Sequence, residues 1–196
     1  MRSELGIDPI AIDVGRLLQH SVASLYSHLV TRPTGRAVRL AIEAQLSATS
    51  RTSLSMIDLS EVAVIDFSCA DEVVAKLLMR FLQEDRPGDA LFVFRGLDVG
   101  HHEPIEAVLE RQTLLMVAEG SDGQCGLLGT RSDEEQHAWS VLESRGRIDT
   151  KEVAVVFPSE LHRQVLDELV RRRVVFASPD AGGYHALSTL LRDAHA

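Results

Sequence analysis

Cysteine is scarce. Cys69 and Cys125 are the only two, they lie far apart, and no CxxC pair exists. This argues against a disulfide framework and for a reducing, cytoplasmic setting. Basic charge is also short: 20 Lys and Arg stand against 29 Asp and Glu, a net charge of −9. The chain as a whole therefore has no general attraction for DNA, RNA or anionic membranes. No apolar run approaches the roughly 20 residues that span a bilayer. The opening MRSELGIDPIAIDVG carries acids inside its short apolar run, unlike a signal peptide. Repeats and low-complexity tracts are missing as well.

The chemical motifs are equally thin. There is no HExxH, and GLDVGHHEP has two glycines but no P-loop lysine. His101 and His102 are adjacent, so their side chains diverge in most backbones, and Glu103 and Glu106 are only neighbours in sequence. An exposed polar loop is the expected account of that stretch. No nucleophile, base and orienting group share a suggestive spacing. The expectation is a non-enzyme with no catalytic residue, no cofactor and no metal.

What remains is an ordinary globular composition, 45% hydrophobic and 25% charged, over 196 residues. That is enough for one or two domains. Residues 6–14 read as an edge strand, because Pro9 bars a central position. Residues 16–30 read as a helix with Leu17, Leu18, Val22, Leu25, Leu29 and Val30 on one side. Pro33 and Gly35 break it, and Val38, Ile42 and Leu46 mark the next helix. LSMIDL and VAVIDF read as strands and Asp71–Glu84 as a helix. ALFVF reads as a strand buried on both faces, and EPIEAVLERQ as a helix opened by Pro104. LLMVAEG and CGLLGT pair around the SDGQ turn. Strands alternating with helices give an α/β layer architecture.

After GTRSDEEQ the character changes. A helix closed by Gly146 is followed by a short helix with a capping-box pattern (Asp149, Glu152), a longer helix over SELHRQVLDELVRRR, and two β runs around SPDAGGYH. Residues 131–196 resemble a winged-helix domain. The expected division is 1–130, a STAS-like α/β domain with its core at 36–118, and 131–196, a small winged-helix-like α+β domain.

The most informative stretch is VAVIDFSCADEVVAKLL, where a strand becomes a helix. In the plainer reading Ser68 is the N-cap, Asp71 is its capping-box partner, and Asp71 and Glu72 oppose the helix dipole. Cys69 is then a small packed residue rather than a reactive thiol. In the sharper reading Asp66-Phe67-Ser68-Cys69-Ala70-Asp71 resembles the phosphorylation loop of STAS domains, the anti-sigma factor antagonists. Cys69-Ala70-Asp71-Glu72 is more closely similar to a STAS-like family of bacterial regulatory proteins marked by Phe-Ala-Asp-Glu. The upstream helix GRAVRLAIEAQL and the later FVFRGLD strand fit as well.

The resemblance implies a mixed sheet with helices and regulation through protein contact. A kinase or anti-sigma-like regulator is the implied partner and Ser68 the implied switch. Asp66, Cys69, Asp71 and Glu72 form the implied interaction surface. A phosphate at Ser68 adds about −1.5 to −2 charges, and no arginine stands near in sequence to meet it. The alternative is a DNA-binding transcriptional regulator. Its winged helix would touch DNA through Arg163, Gln164 and Arg171, with the STAS-like part as sensor or dimerisation unit. The acidic balance and a wing tip without Lys or Arg favour protein over DNA.

Overall fold

The computed structural model describes residues 7–21, 28–47, 51–178 and 182–195. Its centre is a mixed sheet of five strands in the order β1-β3-β5-β6-β7. These strands are β1 (Asp8–Asp13), β3 (Ser53–Asp58), β5 (Ala90–Arg95), β6 (Leu115–Glu119) and β7 (Cys125–Gly129). The first four run parallel and β7 returns antiparallel to β6. Pro9 sits in the edge strand, where its missing N–H breaks no ladder. β3, β5 and β6 carry nearly unbroken buried runs, because both faces of the sheet are covered.

One face packs on a first helical layer. It consists of α1 (Val14–Ser21), α2 (Arg32–Ser47), α3 (Phe67–Ala70), a π-helical stretch Asp71–Lys76, α4 (Leu77–Leu82) and α5 (Val99–Arg111). Ile12, Ile57, Phe92 and Phe94 of the sheet join Val38, Ile42, Val74 and Ile105 in that core. The Phe81 ring stands edge-on to Phe92 with centroids 5.0 Å apart, a favoured aromatic geometry. β2 (His28–Leu29) and β4 (Val64–Ile65) form a separate two-stranded parallel ribbon.

The opposite face packs on the C-terminal third. There α6 (Asp133–Arg145), β8 (Arg147–Asp149), α7 (Val153–Val156), α8 (Glu160–Arg171), β9 (Val175–Ser178), β10 (Gly183–Ala186) and α9 (Leu187–His195) follow one another. The three strands pair antiparallel as β8-β10-β9. Leu54, Met56, Leu91, Val93, Leu115 and Val117 of the large sheet share one buried cluster with Trp139, Leu142, Phe157, Leu166 and Val175. Arg173 fastens the two parts: its Nε donates to the Ala90 carbonyl at 2.8 Å and its guanidinium pairs with Asp89. Arg172 donates to the carbonyls of Thr130 at 2.7 Å and Thr113 at 3.1 Å, and to Glu135 at 2.7 Å.

Several sequence expectations shift. The helix expected over 16–30 occupies Val14–Ser21, and Leu29 belongs to β2. The expected positions Val22 and Leu25, and residues 179–181 of the SPDAGGYH tip, lie outside the described residues. Pro33 and Gly35 do not break a helix but stand in the first turn of α2, where proline is tolerated. Pro104 lies inside α5, whose N-cap is Asp98. The capping box there is completed by His101, whose Nδ1 accepts from the Asp98 N–H at 3.0 Å. His101 is buried in a helix and not part of an exposed loop.

Candidate functional site

The site grows from the turn between β4 and α3. Asp66 has an extended backbone, φ −87° and ψ 167°, and caps α3. Its Oδ1 accepts the Cys69 N–H at 2.7 Å and the Ser68 hydroxyl at 2.9 Å. Its Oδ2 accepts the Thr31 N–H at 3.1 Å, and its own N–H donates to the Leu29 carbonyl at 3.0 Å. One carboxylate thus ties the end of β2 to the start of α3. Burial opposes its ionisation, but the Cys69 and Thr31 amides and the Ser68 hydroxyl outweigh that and hold it below the ordinary carboxylate range.

This corrects the reading of Ser68 as the cap. The capping oxygen belongs to Asp66, two residues earlier, and Ser68 is the second residue of the helix. An aspartate carboxylate at the true N-cap reaches the N3 amide and takes the serine proton as well. Ser68 remains half-buried beside Phe67, which is 52% exposed.

Asp71 and Glu72 also differ from the expectation that they meet the helix dipole. They are 4% and 2% exposed and form the centre of an ion network. Arg32 Nη1 reaches Asp71 Oδ2 at 2.6 Å and Glu72 Oε1 at 3.1 Å. Arg111 meets Asp71 Oδ1 at 2.6 Å. Arg39 Nε meets Glu72 Oε2 at 3.2 Å and also pairs with Glu43. Lys76 pairs with Glu72 and lies 3.5 Å from Asp71 Oδ2. Burial opposes the charge on Asp71, yet the Arg32 hydrogen bond and the Lys76 and Arg111 charges prevail and lower its pKa. For Glu72, burial is likewise outweighed, by the hydrogen bonds of Lys76 and Arg39. Buried carboxylates stay ionised only when paired in this way.

Two devices bring these groups together. The π-helical turn keeps the consecutive residues Asp71 to Ala75 buried between α2 and α5, a local widening common at sites with a special task. Gly35 lets α2 approach closely: a Cβ there would lie 2.9 Å from Cys69 Cα and 3.1 Å from Glu72 Cβ. Cys69 itself is inert. Its Sγ donates to the Thr31 carbonyl at 2.9 Å, and burial with the nearby Asp66 charge pushes the thiol up to about 12. Burial and the charges of Glu143 and Glu119 do the same to Cys125, also about 12.

The expected surface Asp66, Ser68, Cys69, Asp71 and Glu72 is therefore one connected cluster, but only Asp66 and Ser68 retain appreciable exposure. The four cations escaped the sequence reading. Lys76 had a signal, four residues after Glu72 on one helix. Arg32 was hidden because Pro33 and Gly35 suggested a turn, and Arg39 lies in the expected helix GRAVRLAIEAQL but its partner Glu72 comes from another element. Arg111 comes from another element and left no local trace. The arginines that α2 and α5 bring in meet Asp71 and Glu72, while Ser68 is held by Asp66.

The two arginines named for DNA contact have partners within α8 and just before it. Arg163 pairs with Glu160 and donates to the Phe157 carbonyl at 3.3 Å. Arg171 pairs with Glu168, and Gln164 is exposed on α8. Among the described residues no group of three His, Cys, Asp or Glu is placed to hold a metal, and no helix is long and apolar enough to cross a membrane. No family model, no curated protein and no solved structure matches the chain.

Proposed function

We propose that the chain is a STAS-like bacterial regulatory protein of the anti-sigma-factor-antagonist type. In this reading it works in the cytoplasm by protein–protein contact and not by catalysis, and its partner is a kinase or anti-sigma-like regulator. The observation that carries the reading is the strand-to-helix turn itself. Ser68 lies there with its hydroxyl held by Asp66, and Phe67 and Val64 of the same turn and its strand are apolar side chains 52% and 45% exposed. Exposed aromatic and aliphatic side chains around a modifiable hydroxyl suit docking. The neighbouring polar groups suit catalysis poorly. The carboxylates of Asp71 and Glu72 are ion-paired, and Cys69 is a buried thiol of raised pKa.

The C-terminal element order α6-β8-α7-α8-β9-β10 supports the winged-helix resemblance. Its arginines support a structural use: Arg172 and Arg173 bind the sheet layer, and Arg163 and Arg171 are neutralised by glutamates. Few basic groups remain for phosphate contacts, so DNA is the disfavoured ligand.

The test is capture of partners from the native host by the full chain and by Ser68→Asp, Ser68→Ala and Phe67→Ala variants. A partner retained by native protein and Ser68→Ala, and lost with Ser68→Asp and Phe67→Ala, is expected. A partner held equally by Ser68→Asp removes the switch, because a new negative charge at a docking surface must be felt.

A further inference from the structure

A second site lies on the outer side of the ion network. Arg32, Arg36 and Arg39 stand at i, i+4 and i+7 of α2, one face of the helix. With Lys76, Leu40 and Glu72 they line an open cleft of about 580 Å³. That volume falls in the range of sites for small molecules. Only part of its positive charge is used. The Arg36 side chain is exposed and makes no hydrogen bond or ion pair with the described residues. Arg32 commits only Nη1 to Asp71 and Glu72, so no carboxylate among the described residues holds its Nε and Nη2.

Counted over the whole cluster, Arg32, Arg36, Arg39, Lys76 and Arg111 face Asp71, Glu72 and Glu43. Two positive charges are left over, on a chain whose net charge is −9. A surplus of two cations in a concave site calls for a dianion. Planar guanidinium forks match the oxygens of a tetrahedral phosphoryl group. Leu40, 47% exposed on the same wall, offers apolar contact to the body that carries the group.

We propose that this cleft binds a small phosphate monoester. The phosphoryl group lies against Arg36 and the free edge of Arg32, and the apolar body lies on Leu40. Glu72 does not repel it, because Arg32, Arg39 and Lys76 already neutralise that carboxylate. The site stands whether or not Ser68 is modified, since Arg36 and Leu40 play no part in the turn that holds Ser68.

The experiment is calorimetric titration of the full chain with phenyl phosphate, inorganic phosphate, benzoate and a phosphoserine peptide. Saturable binding of phenyl phosphate is expected, tighter than that of inorganic phosphate, with benzoate weaker than either. Arg36→Ala should weaken phenyl phosphate about tenfold, the effect of one lost charge-assisted hydrogen bond. Arg36→Lys should recover part of that, since charge returns without the fork. Leu40→Ala should weaken phenyl phosphate and leave inorganic phosphate unchanged. Arg145→Ala, on the opposite layer, serves as control. Three results overturn the proposal. One is no saturation by phenyl phosphate at about 1 mM, the scale of the weakest specific affinities. Another is binding indifferent to Arg36→Ala. The third is binding of the phosphoserine peptide alone, which would make the cleft a protein-docking surface.

Discussion

The Ser68 hydroxyl donates to Asp66 Oδ1 over 2.9 Å, so the residue that resembles a phosphoacceptor is held by the residue that caps its helix. Phosphorylation would replace that donor with a dianion beside a carboxylate. The hydrogen bond would become a repulsion, and the turn would have to open or Asp66 would have to take up a proton.

The two residues should differ in their weight on stability. Asp66→Ala removes the acceptor of the Thr31 and Cys69 amides and of the Ser68 hydroxyl, and should cost about 2 kcal/mol, the upper end for a cap. Ser68→Ala loses one hydrogen bond and should cost about 0.5–1 kcal/mol. Urea melts should rank native, Ser68→Ala and Asp66→Ala in falling order. A larger loss for Ser68→Ala would return the cap to serine.

Acid should weaken the ion network. The pKa values of Asp71 and Glu72 are depressed below their ordinary 3.8 and 4.5. Their ionised forms therefore stabilise the fold fully above those ordinary values. The contribution is lost as pH falls through them toward the native values. Asp71→Asn should melt below the native protein at pH 7. The gap should stay constant down to about pH 5 and close beneath about pH 4. Calorimetric melts of both proteins across this range decide it, and a gap independent of pH would mean that folding leaves the Asp71 pKa unchanged.

Gly35→Ala sets two effects against each other. Alanine in a helix is favoured over glycine by about 1 kcal/mol. The new methyl, however, meets Cys69 Cα at 2.9 Å, a backbone atom that cannot swing aside. Overpacking of that kind costs about 1–3 kcal/mol. A net loss of about 1 kcal/mol is expected, read from denaturant midpoints; a stabilised variant would show that α2 shifts freely.

Removing residues 131–196 uncovers Leu54, Met56, Leu91, Val93, Leu115 and Val117. Each is worth roughly 1.5–3 kcal/mol when buried. Their sum rivals the whole stability of a domain, about 5–15 kcal/mol. The fragment 1–130 should bind a hydrophobic dye and lose its cooperative melt. A soluble fragment with a sharp transition would mean the two parts fold independently.

Much of the first layer was legible because local rules act there. Pro9 marks an edge, and SDGQ turns a hairpin. The helix over Val14–Ser21 was drawn too long because Leu29 is fully buried in β2 with the same apolar signal. The place of the second layer against the sheet was not legible. Strands with hidden residues on both faces, such as Leu54 to Ile57, announce two covers but do not say which segment supplies them. The ion network was least legible. Arg111 and Asp71 lie 40 residues apart and meet only through tertiary packing.

The π-helical turn at Asp71–Lys76 also constrains how this chain can change over generations. Deleting one residue there lets the stretch relax to α geometry with α3 and α4 still in phase, but it removes the widened turn that holds Asp71 and Glu72 against α2 and α5. A descendant that lost a codon within 71–76 would keep a helix and lose its lock. Leu77 and Phe81 would stay on the sheet while Arg32, Arg39 and Arg111 faced the wrong side chains. Gaps in related sequences should therefore fall before Phe67 or after Leu82, and not in the turn that carries the two carboxylates.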